Sequence, residues 1–302
     1  MCFGHRCFTP VIRRNDKIMN FAEMTNPRRK DKRMERKARQ KVRGTFPRQF
    51  SPSQGMCDVV RKAVLFTALF LVLGLPLDSY AYQVRAVPNG GTISGTVMFT
   101  GSPVPRDPII HPTTNINYCG KTLPSLKYLI KNRRVQNVVV FIKNIQAGAP
   151  VPRVASLVDN LKCAFVPHVG IGFQGNQLIF KDSDPLFHNI HTYIENRTYY
   201  NVGLPFKGAQ VTKILTRAGL IEITCDAHPW MRGWLYVFDN PYAALTNANG
   251  EFVIRDVPPG TYTVEAWHEE FGTVDLGNVR VTPGKTTTIK IDYKKAKRKS
   301  EF

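Results

Sequence analysis

Across much of residues 91 to 293 the chain alternates apolar and polar positions, the period of two that sends successive side chains to opposite faces of a strand. Gly91 to Phe99 alternates in this way, with Ile93, Val97 and Phe99 on one face. Val135 to Ile142 is instead a continuous β-branched run, the pattern of a buried strand. Further strands are predicted over 177–181, 187–194, 219–224, 234–238, 251–254, 261–267 and 286–291. No long amphipathic helix is evident, and only 209–217 is ambiguous between helix and strand.

Between these runs lie breaks rich in glycine and proline: Gly101-Ser102-Pro103, Asn247-Ala248-Asn249-Gly250, Pro258-Pro259-Gly260 and Thr282-Pro283-Gly284. Short strands separated by such turns predict an all-β fold of sandwiches. Asn249-Gly250-Glu251-Phe252, followed by Asp256-Val257-Pro258-Pro259-Gly260-Thr261-Tyr262, resembles the carboxypeptidase regulatory-like domains, which are small transthyretin-like sandwiches. The resemblance implies that the glycines turn hairpins, that the Phe and Tyr fill a core, and that the role is scaffolding or binding. Gly91 to Val97, followed by Pro103-Val104-Pro105, looks like the opening strand of the same module. Two arrangements remain open at this point. The region between is either an insertion into that module or a separate domain preceding it.

The first 81 residues are unlike the rest. They hold 17 Lys and Arg against 6 Asp and Glu, while the other 221 residues hold 25 against 16. Residues 1–55 combine basic runs such as Arg28-Arg29-Lys30 with no apolar periodicity, so no packed core is expected there. A basic run can bind nucleic acid, but residues 56–81 point elsewhere. Arg61-Lys62, the apolar stretch Ala63 to Leu77 and the small residues Ser79 and Ala81 have the layout of an export signal, with a mature start near Tyr82. Translation then starts at Met56, or residues 1–55 form a cytoplasmic tail on an uncleaved anchor. Either way residues 82–302 are expected outside the cytoplasm, in a periplasm or otherwise exported. No nucleic-acid partner and, once the signal is cleaved, no membrane span is expected for them.

Export changes the meaning of the cysteines. Beyond residue 81 only Cys119, Cys163 and Cys225 remain, an odd number for an oxidising compartment. A metal-ligand role for Cys225 accounts for the odd one. Cys119 and Cys163 are then left to pair as a disulfide or to be buried separately.

Cys225 stands in the run Cys225-Asp226-Ala227-His228-Pro229-Trp230-Met231-Arg232-Gly233, between two apolar strand patterns. A thiolate, an imidazole and a thioether thus share one tight loop. Upstream, Asp184-Pro185-Leu186-Phe187-His188-Asn189-Ile190-His191 supplies further imidazoles on another strand. Two histidines, a cysteine and a weak axial methionine are the ligands of blue-copper electron-transfer sites. Taken singly, each such residue in a β protein is more often core or surface; their joint spacing argues for a site.

The run resembles the ligand loop of the cupredoxins, in the short form found in amicyanin. His188-Asn189-Ile190 matches the segment that carries the first histidine ligand in plastocyanin and amicyanin. The resemblance covers roughly residues 155–240. It implies one type 1 copper ion, Cu(I)/Cu(II), held by His188, Cys225 and His228 with Met231 axial. It further implies that Asn189 pins the two ligand loops together, with Asp226 also in the outer ring of contacts. Pro229 and Trp230 would form the rim by which an exposed His228 meets a partner. His191 competes with His188, but residues three apart on a strand face opposite ways, so only one can point at the metal. His168 and His268 are read as structural or surface residues.

Other chemistries lack their residues. Cys225-Asp226-Ala227-His228 has no second cysteine for haem attachment, and Gly272 stands where a zinc-protease helix after His268-Glu269 needs histidine. A structural zinc site would use four strong ligands. The resulting division is 82–150 as an N-terminal β region, 151–241 as the copper domain, 242–293 as the regulatory-like domain and 294–302 as a basic tail. An exported electron carrier without substrate turnover is expected, serving a c-type cytochrome or a periplasmic oxidoreductase. The alternative is a non-redox binding, surface-assembly or copper-storage protein.

Overall fold

The computed structural model describes residues 81–295. The segments read as a basic head and as an export signal, up to residue 80, and the tail past residue 295 lie outside the described residues. Within them the fold is all-β, and the one α-helix is the single turn Ile116–Cys119. Among the described residues no helix is long and apolar enough to cross a membrane.

The alternation at Gly91–Phe99 becomes the middle strand of a sheet. It pairs in parallel with Thr286–Tyr293 and antiparallel with Glu251–Val257, and Met98 also bridges to Arg134. The facing sheet runs in the order Ala243–Leu245, Val139–Ile142, Gly260–His268, Gly272–Val281. Ile93, Val97 and Phe99 from the first sheet meet Val140, Ile142, Val264 and Ala266 from the second in one buried core. Residues 91–142 and 243–293 therefore build a single sandwich, and residues 156–238 are inserted between its strands.

Val135 to Ile142, expected as one strand, is two. The chain turns at Asn137, at φ 62° in the left-handed region where asparagine is enriched, and passes from one sheet to the other. Gly250 closes the hairpin before Glu251–Val257 at φ +68°, and a Cβ there would stand 2.6 Å from the Val97 carbonyl oxygen. Glycine alone suits both demands.

The inserted residues form a second sandwich. One sheet has the order Ala164–Val166, Ser156–Leu161, Gln177–Asp182, Gln210–Ile214; the other Val169–Phe173, Arg232–Phe238, Gly219–Cys225, His188–Ile194, Arg197–Leu204. The ambiguous 209–217 segment thus holds an edge strand, paired antiparallel with Gln177–Asp182. Several strands here carry no clean alternation in sequence: Val169–Phe173 is interrupted by two glycines, and Arg197–Leu204 is polar on most positions.

Arg232–Phe238 contributes to two apolar layers at once. Leu235 and Val237 point into the inserted sandwich, while Trp234, Tyr236 and Phe238 pack against Val139, Phe141 and Trp267 of the other. This second layer explains why Val139–Ile142 is buried at every position. One polar group crosses it: Glu269 is buried, pairs with His168 and accepts a hydrogen bond from Trp234 Nε1–H at 3.0 Å. His268 is buried as well, stacked on Phe271 with ring centroids 4.5 Å apart. Both histidines have structural surroundings.

Between Phe99 and Ile130, both in its first sheet, the outer sandwich sends residues 100–129 on an excursion that includes the Ile116–Cys119 turn. Cys119 is bonded to Cys163, in the turn before Ala164–Val166 of the inserted sandwich, across a sequence separation of 44. By loop-closure entropy, a cross-link of that span stabilises the fold by about 4 kcal/mol. The Cys119→Ser/Cys163→Ser variant is expected to lose about that much unfolding free energy in a denaturant titration.

Candidate metal centre

The geometry of the centre begins with strand register. His188–Ile194 pairs antiparallel with Gly219–Cys225, and Ile190 stands opposite Cys225. Side chains two apart share a face, so His188 and Ile190 both point into the sandwich, as the alternating burial of the strand records. Cys225 ends its strand, and the chain returns at Arg232, opposite Thr224. His228 and Met231 lie in the hairpin loop so formed, tightened by a hydrogen bond from Met231 N–H to the His228 carbonyl at 2.9 Å.

This arrangement brings three donor atoms together. Nδ1 of His188 and Nδ1 of His228 are 3.1 Å apart, and Cys225 Sγ lies 3.8 Å from the first and 3.6 Å from the second. The point equidistant from these three atoms is about 2.0 Å from each, against metal–nitrogen distances near 2.0–2.1 Å and metal–sulfur near 2.3 Å in sites of such ligands. His188, Cys225 and His228 are 0%, 2% and 1% exposed, and they form the one candidate metal cluster among the described residues. Met231, 2% exposed, belongs to the same buried apolar cluster as Cys225.

The far nitrogen of each ring is held separately. His188 Nε2–H faces Asp184 Oδ2 at 3.2 Å, and His228 Nε2–H donates to Asn115 Oδ1 at 3.0 Å. With both Nε2 atoms donating, Nδ1 is the atom that each ring can offer to a metal ion, on loss of any proton it carries. Two imidazole lone pairs and a thiolate converging in a dry pocket suit a cation, so the donor set fits a soft or borderline metal ion.

The proton affinities show the same field. Burial works against the charged His188 ring, but the Asp184 carboxylate and the Cys225 sulfur outweigh it and hold the pKa up at about 9. Burial likewise opposes the Cys225 thiolate, yet hydrogen bonds from His188, His228 and the Asn189 amide bring its pKa down to about 6. Thiolate and imidazolium therefore coexist at neutral pH, and an incoming metal ion displaces the proton between them.

Asp184 is one outer residue that sequence reasoning missed. It is fully buried, and it accepts hydrogen bonds from Lys162 N–H at 2.6 Å, Cys163 N–H at 2.8 Å and Tyr118 O–H at 2.9 Å. Burial raises its pKa, but His188 and these donors reverse the effect and leave it below the usual carboxylate range. Its signal was a carboxylate in the same short run as a candidate ligand, since metal-bound histidines are commonly oriented by carboxylates.

Two expected roles are revised, those of Asp226 and His228, and that of Asn189 is met. The Asp226 carboxylate does not reach the donor atoms; it is half-exposed and pairs with His191 at 3.2 Å, because its position in the loop turns it to the outer face. Asn189 ties the ligand segments through its backbone: its N–H points at Cys225 Sγ at 3.5 Å and its carbonyl accepts from Asp226 N–H at 3.3 Å, while its side chain donates to Asn201. His228, expected at the surface, is buried beneath Asn115. Pro229 is exposed, but Trp230 is half-buried, with its ring 5.1 Å from His228 and its Nε1–H donating to the Cys163 carbonyl at 3.3 Å. His191 lies on the outer face with Thr198 and Tyr193, away from the cluster.

Residues 237–294 match the family model of the carboxypeptidase regulatory-like domain. The match begins in the last strand of the inserted sandwich and excludes Gly91–Phe99, which completes the outer sandwich in space. No curated protein matches the chain. Similar solved structures include a Cu(I) form of an amicyanin mutant, 22% identical, covering 28% of this chain and 82% of its own, with a TM-score of 0.25. A reduced amicyanin mutant is 20% identical over 33% of this chain and 98% of its own, with a TM-score of 0.26. A copper-containing nitrite reductase from Thermus scotoductus SA-01 is 20% identical over 33% of this chain and 25% of its own, with a TM-score of 0.26.

Removing His188 by substitution to Ala is expected to abolish tight Cu(II) binding in a competition titration, whereas His191→Ala leaves it within a factor of about two, as for a residue outside the ligand set. Asp184→Asn is expected to weaken binding by about 10–100-fold in the same assay. In the metal-free protein, thiolate absorbance in the ultraviolet should appear as pH rises through about 6, and should be absent in Cys225→Ser.

Proposed function

We propose that the chain is an exported type 1 copper protein that carries single electrons. The observation that carries this reading is the buried triangle of two imidazole nitrogens and one thiolate at the closed end of a β-sandwich. Such a donor set supports both copper oxidation states, sulfur favouring Cu(I) and imidazole serving either. Strands hold two of the ligands and a short hairpin loop the third, so little movement need accompany the change of charge. Met231 would act as the weak axial ligand, and the dry apolar surroundings would tune the potential. With Met231 as the fourth ligand the positions would be filled by protein side chains, which suits electron transfer without substrate turnover. Export is supported by the Cys119–Cys163 disulfide, since such bonds persist in oxidising compartments. The redox partner would be another exported electron-transfer protein, such as a c-type cytochrome or a periplasmic oxidoreductase.

One observation favours a second reading, copper storage. His228 is 1% exposed, so the imidazole edge through which a partner would meet the metal is covered. The two readings part in measurement. Cu(II)-loaded protein is expected to show intense visible absorption from thiolate charge transfer, lost in Cys225→Ser. A reversible one-electron wave in voltammetry then supports the carrier, and bound copper without such a wave supports the store. Colourless protein with loosely held copper would remove both.

A further inference from the structure

The covering of His228 comes from outside the inserted sandwich. Asn115 belongs to the excursion of the outer sandwich, 113 positions from His228 in sequence, and is itself exposed while the ring beneath it is buried. It sits at φ 50° in the left-handed region, immediately before the Ile116–Cys119 turn, and its carbonyl accepts the N–H groups of Tyr118 and Cys119 at 2.9 Å. A turn of four residues has little stability alone. Two attachments hold it in place: the Cys119–Cys163 disulfide and the hydrogen bond from Tyr118 O–H to Asp184.

Both attachments end on residues that serve the ligand rings. Asp184 faces His188 Nε2, and its other partners include the Cys163 amide. The Cys163 carbonyl accepts from Trp230, whose ring edges against His228. Cys163 thus connects to His188 through Asp184 and to His228 through Trp230, while its disulfide partner lies in the turn that starts at Asn115.

We propose that Asn115 is a positioning residue of the metal centre, held over His228 by the Cys119–Cys163 disulfide, and that this cross-linked cap controls how readily the site is reached from solvent. Asn115 fixes Nε2–H as the donating nitrogen of His228 and so aims Nδ1 at the other two donor atoms. The disulfide keeps the turn from lifting away. Once the cross-link is broken, the Tyr118 and Asn115 hydrogen bonds are left to hold a short exposed segment, and opening becomes easier. The inference deepens the copper reading above and rests on it for the word metal; the cap itself is a property of the metal-free protein and is tested there.

The test is covalent modification of the metal-free full chain by diethyl pyrocarbonate, with His228 followed by mass spectrometry of its peptide and exposed His111 as the internal reference. Asn115→Ala is expected to speed His228 modification by about five- to tenfold, the factor expected for loss of one hydrogen bond, and Cys119→Ser/Cys163→Ser by at least as much. Asn115→Asp, which keeps the acceptor oxygen, should stay near the parent rate. Circular dichroism of each variant establishes that it is folded; should the unlinked variant fail to fold, Asn115→Ala against Asn115→Asp still decides. Unchanged His228 reactivity in Asn115→Ala would overturn the cap. In copper-loaded protein the same substitution should speed copper loss to a chelator by a similar factor. If His228 reactivity rises but the parent shows no copper charge-transfer band, the cap stands and the copper reading fails.

Discussion

The pairing of His188–Ile194 with Gly219–Cys225 is the constraint on which the rest of the site depends. Because Ile190 is locked opposite Cys225, His188 must occupy the inward-facing position one step beyond the end of the neighbouring strand. A slip of one residue would turn His191 inward and His188 outward. The slip is opposed on both sides of the strand, since Arg197–Leu204 pairs with its other edge and buries Val202 and Leu204 in the same core as Ile190 and Ile194. The register that packs the sandwich is therefore the register that assembles the donor triangle.

The insertion gives that sandwich its support. Arg232–Phe238 follows the ligand loop directly and carries leucine and valine on one face, aromatic residues on the other. Its aromatic face lies on Val139, Phe141 and Trp267, so the strand that closes the metal loop is anchored in two apolar layers. A hairpin loop restrained in this way holds its side chains in one geometry. The outer sandwich also contributes through its 100–129 excursion, which brings Asn115 to the outer nitrogen of His228 and Tyr118 to the Asp184 carboxylate.

Burial and hydrogen bonding act against each other at Cys225, His188 and Asp184. Desolvation alone would leave Cys225 protonated and His188 neutral. The contacts decide otherwise: those to Asp184, to the two rings and to the Asn189 amide outweigh the dielectric cost, and a thiolate results. Asp184 can remain charged in a fully buried position because four donors surround its two oxygens.

Strand patterns and residue types were enough to recognise an all-β chain, a regulatory-like module and the His188, Cys225 and His228 cluster, because alternation and ligand chemistry are local properties. His188 could be preferred to His191 from strand parity together with the family motif. Asp184, Asn115 and the burial of His228 were not legible. Asp184 sits in the same run as His188, but the carboxylate is held toward the ring by the distant Lys162 and Cys163 amides and Tyr118; Asp226, closer still in sequence to a ligand, faces outward. Asn115 lies 113 residues from the histidine it covers, and only the return of the outer sandwich around its insertion brings the two together. Local spacing specified the donor atoms. Long-range strand pairing decided how they are held, sealed and kept from solvent.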